Sequence, residues 1–122
     1  MKGYAILAGV LFLGAVPSQA GSTITLRVSP TMAFAPADLL IRASVDVNAD
    51  NRKLEIVAES NDYYRSSEIQ LDGEDAVRTS LVSFRSLPGG EYTVRVIVRG
   101  SRGEVLASSS AMSRVVERGV EQ

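Results

Sequence analysis

The sequence predicts an all-β chain, a two-sheet sandwich of seven antiparallel strands behind an N-terminal export signal. Apolar and polar residues alternate with period two along most of its length, which sends every second side chain of a strand to one face. Clusters of Gly, Pro, Asn and Asp separate these runs at short intervals, as in sandwiches whose strands each bury one face against a second sheet. Residues 1–20, MKGYAILAGVLFLGAVPSQA, depart from this pattern with a long uncharged stretch.

Those 20 residues have the parts of a secretory signal peptide. Lys2 supplies the positive start, Tyr4 to Val16 the apolar stretch and Pro17 a break. Ser18 and Ala20 put small residues at the two positions that signal peptidase reads, so the cut is placed after Ala20. As a helical anchor the 13 residues from Tyr4 to Val16 would reach only about 20 Å, short of the ~30 Å hydrocarbon core. No Cys follows the stretch, which excludes a lipid-modified terminus of the bacterial lipoprotein type. The short apolar stretch and the 11 arginines among 13 cations suggest a bacterial exported protein, periplasmic or extracellular. Cleavage leaves a single domain of 102 residues with 12 cations against 14 carboxylates, and no later apolar run is long enough for a stable membrane span.

The expected strands follow in order. Ile24, Leu26 and Val28 alternate with Thr25, Arg27 and Ser29 until Pro30 ends the first. After a loop closed by Pro36, Ile41, Ala43, Val45 and Val47 form the inward side of the second. The cluster Asn48-Ala49-Asp50-Asn51 is a turn. Leu54, Ile56 and Ala58 alternate with Lys53, Glu55 and Glu59 in the third. Asn61-Asp62 leads to a shorter, more polar segment from Tyr63 to Leu71, and Asp72-Gly73-Glu74-Asp75 turns the chain into a strand from Val77 to Phe84. Leu87-Pro88-Gly89-Gly90 opens the most regular strand, with Tyr92, Val94, Val96 and Val98 inward. A turn over Gly100 to Gly103 precedes the last, from Val105 to Val116. The domain is thus expected over 21–116, with 117–122 a polar tail.

The run from Leu87 through Tyr92 to Val98 resembles the corner between the fifth and sixth strands of immunoglobulin-like and fibronectin type III-like domains. That resemblance implies that the Tyr92 ring packs in the core while its hydroxyl bonds to backbone a few residues upstream. Ser29-Pro30 to Pro36, followed by Leu39-Leu40-Ile41, is similar to the opening of bacterial immunoglobulin-like domains of the PKD type. The chain departs from antibody-type domains in having no Cys pair and no core Trp. In such a fold the Tyr92 strand lies beside the third, which sets Arg95 and Arg99 against Glu55 and Glu59 as surface pairs rather than as a basic patch.

Composition excludes much chemistry. The chain has no His, hence no imidazole base or metal ligand, and no Cys, hence no thiolate nucleophile, disulfide or thiolate metal site. A formal net charge of -1 argues against a nucleic-acid partner. No glycine-rich phosphate loop, nucleophile elbow or Asn-x-Ser/Thr acceptor is present. No cofactor is called for.

Three groups of residues could still carry function. Asp46, Asn48 and Asp50 offer alternating oxygens to a calcium ion, but an EF-hand would want Gly where Asn51 stands and a bidentate acid where Val57 stands, so a turn using its side chains for local backbone bonds is the preferred reading. Asp72, Glu74 and Asp75 could supply an acid/base pair, although a tight turn leaves carboxylates solvated. Tyr63, Tyr64 and Arg65 form an aromatic cluster suited to a sugar face or a protein interface. Against this, alternation would send one Tyr inward and lay the other across an edge strand. The expected function is therefore a non-catalytic exported module that binds a protein or a cell-envelope polysaccharide. The alternatives are a carbohydrate-binding module using Tyr63 and Tyr64, and a hydrolase working with carboxylates alone.

Overall fold

The computed structural model describes residues 23–118. The signal segment expected over 1–20 and the end of the expected tail, 119–122, lie outside the described residues. Eight strands follow one another: β1 Ile24–Ser29, β2 Met32–Phe34, β3 Ala37–Val45, β4 Lys53–Glu59, β5 Tyr64–Gln70, β6 Thr79–Leu87, β7 Gly90–Arg99 and β8 Val105–Val116. The only helical turn among the described residues is a 3-10 turn at Gly73–Asp75. The strands form two sheets, one ordered β1-β3-β6 and one ordered β2-β8-β7-β4-β5.

Period-two patterning becomes packing directly. Leu39, Ile41 and Ala43 of β3, Leu54, Ile56 and Ala58 of β4, and Tyr92, Val94, Val96 and Val98 of β7 are all buried, and with Phe84 and Leu87 they join both sheets in one core. Burying each Leu, Ile or Val side chain contributes about 1.5–3 kcal/mol. The inward positions of β8 hold smaller residues, Ala107, Ser109, Ala111 and Ser113, opposite Val98, Val96, Val94 and Tyr92. Buried Ser113 donates its hydroxyl to the Pro30 carbonyl at 2.8 Å, which ties β8 to the chain leaving β1.

Tyr92 behaves as the resemblance implies. Its ring is fully buried and its hydroxyl donates to the Pro88 carbonyl at 2.7 Å. Tyr63 meets it edge-on, with ring centroids 6.5 Å apart and planes at 80°. Burial pushes the phenol above its ordinary value of 10.0, against the opposing effect of a hydrogen bond with the Ser60 side chain.

Two expectations are corrected. Seven antiparallel strands are expected, whereas the described residues form eight, and the pairing of β2 with β8 is parallel. At three residues, β2 is too short to show alternation, and Pro30 and Pro36, which lack an N–H, bracket it. After Pro30 the chain leaves the sheet of β1 for the edge of the other, where Arg114 donates its amide to Thr31 and Ala35 donates to Val116. The polar segment after Asn61 is a full strand, β5, whose side chains alternate between exposed and half-buried because it lies at a sheet edge. Beyond β8 the expected tail begins tied down: Glu117 accepts the Gly89 amide at 2.9 Å, and the Arg118 guanidinium lies 5.6 Å from the Phe34 ring centroid.

Candidate functional site

Strand alternation divides the Tyr63, Tyr64 and Arg65 cluster. Tyr63 is half-buried against Tyr92, and its hydroxyl accepts a hydrogen bond from Arg65 at 3.0 Å. Arg65 also turns toward the core, its guanidinium 5.7 Å from the Phe84 ring centroid. Tyr64 points the other way, opposite Glu59 on the outer face of β5, and is well exposed. A contact there has one aromatic ring to use.

The loop from Asp46 to Arg52 spends its polar groups on its own architecture. The Asn48 side-chain oxygen accepts the Asp50 amide at 2.8 Å, an Asx-type turn, while Asp46 lies 3.7 Å from the Arg78 guanidinium. Asn51, read from the sequence as a turn residue and as the wrong residue for a calcium loop, is the buried centre of this segment. Its side-chain amide donates to the Asp46 carbonyl at 3.1 Å, and its own carbonyl accepts the Gly73 amide at 3.0 Å. Gly73 has a φ of 56°, and a Cβ there would come within 2.9 Å of the Ala49 carbonyl oxygen, so this clamp between two loops requires glycine. Asp72, Glu74 and Asp75 all project into solvent from the adjoining 3-10 turn. Among the described residues no group of three or more Asp or Glu side chains is placed to share a metal ion.

The arginines of β7 meet the glutamates of β4 as expected. Arg99 Nε lies 3.0 Å from Glu55 Oε1, and Arg95 lies 3.3 Å from Glu59. Lys53 and Glu68 extend the pattern to β5 at 3.6 Å, and Arg114 and Glu91 extend it to β8 at 2.7 Å. At one end of this sheet Arg52, Lys53, Gln70 and Arg99, with Gly100, Ser101 and Gly103 of the following turn, line an open cleft of about 340 Å³. Its cations are already engaged, since Arg52 donates to the carbonyls of Ala49 and Asn51 and the other two hold Glu68 and Glu55.

Another surface feature is one the sequence does not reveal. Met32 and Phe34 of β2 are 59% and 54% exposed, and Met112 of β8 is 58% exposed. Register puts them on one face: Met32 pairs with Arg114, two residues along β8 from Met112, and Phe34 pairs with Val116. Together they form an apolar strip along the outer edge of the five-stranded sheet, bordered by the Arg114–Glu91 pair and by Arg118.

No protein-family model matches the sequence, and no curated protein matches it. Several solved structures share the fold. A superoxide reductase (neelaredoxin) from Ignicoccus hospitalis aligns with a TM-score of 0.60 at 12% identity, over 84% of this chain and 88% of that one. A CARDB domain from Pyrococcus furiosus, solved in complex with di-metal ions, aligns with a TM-score of 0.52 at 11% identity, over 83% of this chain and 99% of the domain. A family 76 glycoside hydrolase from a bovine Bacteroides thetaiotaomicron strain aligns with a TM-score of 0.54 at 15% identity; 76% of this chain matches 20% of that enzyme. At such identities the likeness concerns the fold alone: an all-β arrangement with a CARDB, immunoglobulin-like neighbour.

Proposed function

We propose that the chain is an exported, non-catalytic immunoglobulin-like sandwich that binds a partner through the outer face of its five-stranded sheet, at the β2 edge. The observation that carries this reading is the strip formed by Met32, Phe34 and Met112, each more than half exposed and adjacent by register. Contiguous exposed apolar side chains with a polar border suit a contact surface, Met because it adapts its shape and Phe because it buries area with little loss of rotamer freedom. Export is supported by the composition of residues 1–20. Among the neighbours, one is a superoxide reductase and one a glycoside hydrolase. This chain has no His and no Cys for an imidazole or thiolate centre, and its best candidate acids, Asp72, Glu74 and Asp75, stand apart in solvent.

The test is affinity purification from a native cell envelope with tagged residues 21–122, comparing wild type with the Met32→Ser, Met112→Ser double variant. The wild type retains a partner that the variant loses at an unchanged melting temperature; equal retention by both would overturn the reading. Tyr64, exposed on the same face at the opposite edge, favours a second reading, a carbohydrate-binding module. In that case Tyr64→Ala abolishes retention on a polysaccharide column, and a column that never retains the wild type rules the module out.

A further inference from the structure

The outer face of the three-stranded sheet is built differently from the face just described. Arg27 of β1 and Arg42 of β3 stand directly opposite each other, and both are exposed. Side chains so placed have Cβ atoms about 5 Å apart, and like charges at that spacing repel. Neither guanidinium makes an ion pair or hydrogen bond among the described residues, and the same holds for the Arg85 side chain, exposed on β6. The one carboxylate among the described residues of these three strands, Asp38, accepts the Ser86 amide at 2.9 Å. Leu81, paired with Arg42, and Leu40, one step along β3 on the same face, are both exposed beside the arginines.

We propose that this face docks an acidic protein surface whose carboxylates bridge Arg27 and Arg42 while apolar side chains meet Leu40 and Leu81. Charge complementarity carries the assignment. Two adjacent guanidiniums without a carboxylate of their own are relieved by an anion that accepts from both, and the planar fork of Arg suits carboxylate oxygens. The leucines select a protein among polyanions: β1, β3 and β6 present no aromatic ring outward to stack on a sugar, and three arginines over a flat face make a small footprint for nucleic acid. Arginine is also enriched at protein interfaces.

The experiment measures binding of the 21–122 chain to fluorescent poly-L-glutamate and to a glutamate–leucine copolymer of equal length. The expected result is binding to both at about 0.01 M salt, stronger for the copolymer, and weakening toward about 0.15 M as screening sets in. The Arg27→Gln, Arg42→Gln variant loses at least about tenfold in affinity for both probes. The Leu40→Ser, Leu81→Ser variant loses only the preference for the copolymer. Arg95→Gln with Arg99→Gln, on the other face, leaves binding unchanged. So does Met32→Ser with Met112→Ser, which keeps this proposal separate from the β2-edge reading. The proposal is overturned if neither polypeptide binds, if any of these control variants loses as much as Arg27→Gln, Arg42→Gln, or if polyglucuronate or phosphatidylglycerol vesicles bind more tightly than either polypeptide. A single cooperative melting transition well above the assay temperature for each variant establishes that it is folded.

Discussion

The two sheets share one core and differ on their outsides. On the five-stranded sheet four cations, Lys53, Arg95, Arg99 and Arg114, each meet a glutamate at 2.7 to 3.6 Å, and the charges cancel. On the three-stranded sheet Arg27, Arg42 and Arg85 share a face with Asp38 alone, and two of the three oppose each other. The first face is apolar at its β2 edge and neutral across its middle; the second is positive, with Leu40 and Leu81 exposed beside its arginines. One core therefore carries two chemically distinct surfaces, and the repulsion on the second is a small cost that the fold itself does not require.

Because both sheets contribute to one core, they should unfold as one cooperative unit. Tyr92→Ala on β7 removes a fully buried ring and its bond to Pro88, which should cost about 3–5 kcal/mol. Ile41→Ala on β3 should cost about 2–5 kcal/mol. Both should shift a single denaturation transition seen by fluorescence and by circular dichroism. A second transition confined to Ile41→Ala would show that the three-stranded sheet melts by itself.

A gentler variant, Tyr92→Phe, keeps the ring and loses the hydroxyl bond, at a cost of about 1 kcal/mol. It should also alter the alkaline limb of stability. Because burial raises the Tyr92 pKa above 10.0, the folded chain keeps its proton where the unfolded chain loses it. The contribution is complete below pH 10.0 and is lost as pH rises through the raised value. Urea denaturation across that range should show a fall in the wild type that is smaller in Tyr92→Phe.

What the sequence made legible follows from how each feature is encoded. Strands β4 and β7, the core residues on them and the Tyr92 corner could be read because large apolar side chains recur at every second position. The pairing of Arg95 and Arg99 with Glu59 and Glu55 needed only the neighbour relation implied by the immunoglobulin-like pattern. In contrast, β2 has three residues between two prolines, too few for any period to show. Its Met32 and Phe34 read as loop residues, and Met112 lies in a strand rich in Ser and Ala that signals no contact surface. The Arg27–Arg42 pair depends on a register between strands separated by a loop and a sheet change, which no local window contains. Tyr63 and Arg65 lie on one face of the sheet and Tyr64 on the other, the division that alternation along an edge strand implies.

The charge difference between the faces predicts mutational effects of opposite sign. Arg99→Gln breaks a pair only partly open to water and should lower stability by about 0.5–1 kcal/mol. Arg42→Gln removes a repelling neighbour of Arg27 and should raise stability by a few tenths of a kcal/mol. Both differences should shrink as salt screens the surface. Equal signs in low-salt urea melts would mean that the two faces are electrostatically alike.

The smallest expected effect lies at the tip of the β7–β8 hairpin, on the sheet whose charges are balanced. Hydrogen bonds from its own backbone amide and from that of Arg102, together with the Arg102 charge, hold the Glu104 carboxyl below its ordinary 4.5. The Arg102 amide donates to Glu104 Oε1 at 2.9 Å, and the Gly100 amide donates to the Glu104 carbonyl at the same distance. Because the folded value is lowered, the contribution is present above pH 4.5 and is lost as pH falls through the folded value. The Arg102 amide resonance should therefore titrate with a midpoint below 4.5, and Glu104→Gln should abolish that titration. Acid should therefore loosen the β7–β8 tip by releasing the Arg102 amide from the Glu104 carboxylate. A titration that moved this tip and the face around Arg27 and Arg42 together would tie the two surfaces into one electrostatic unit and remove the contrast between them.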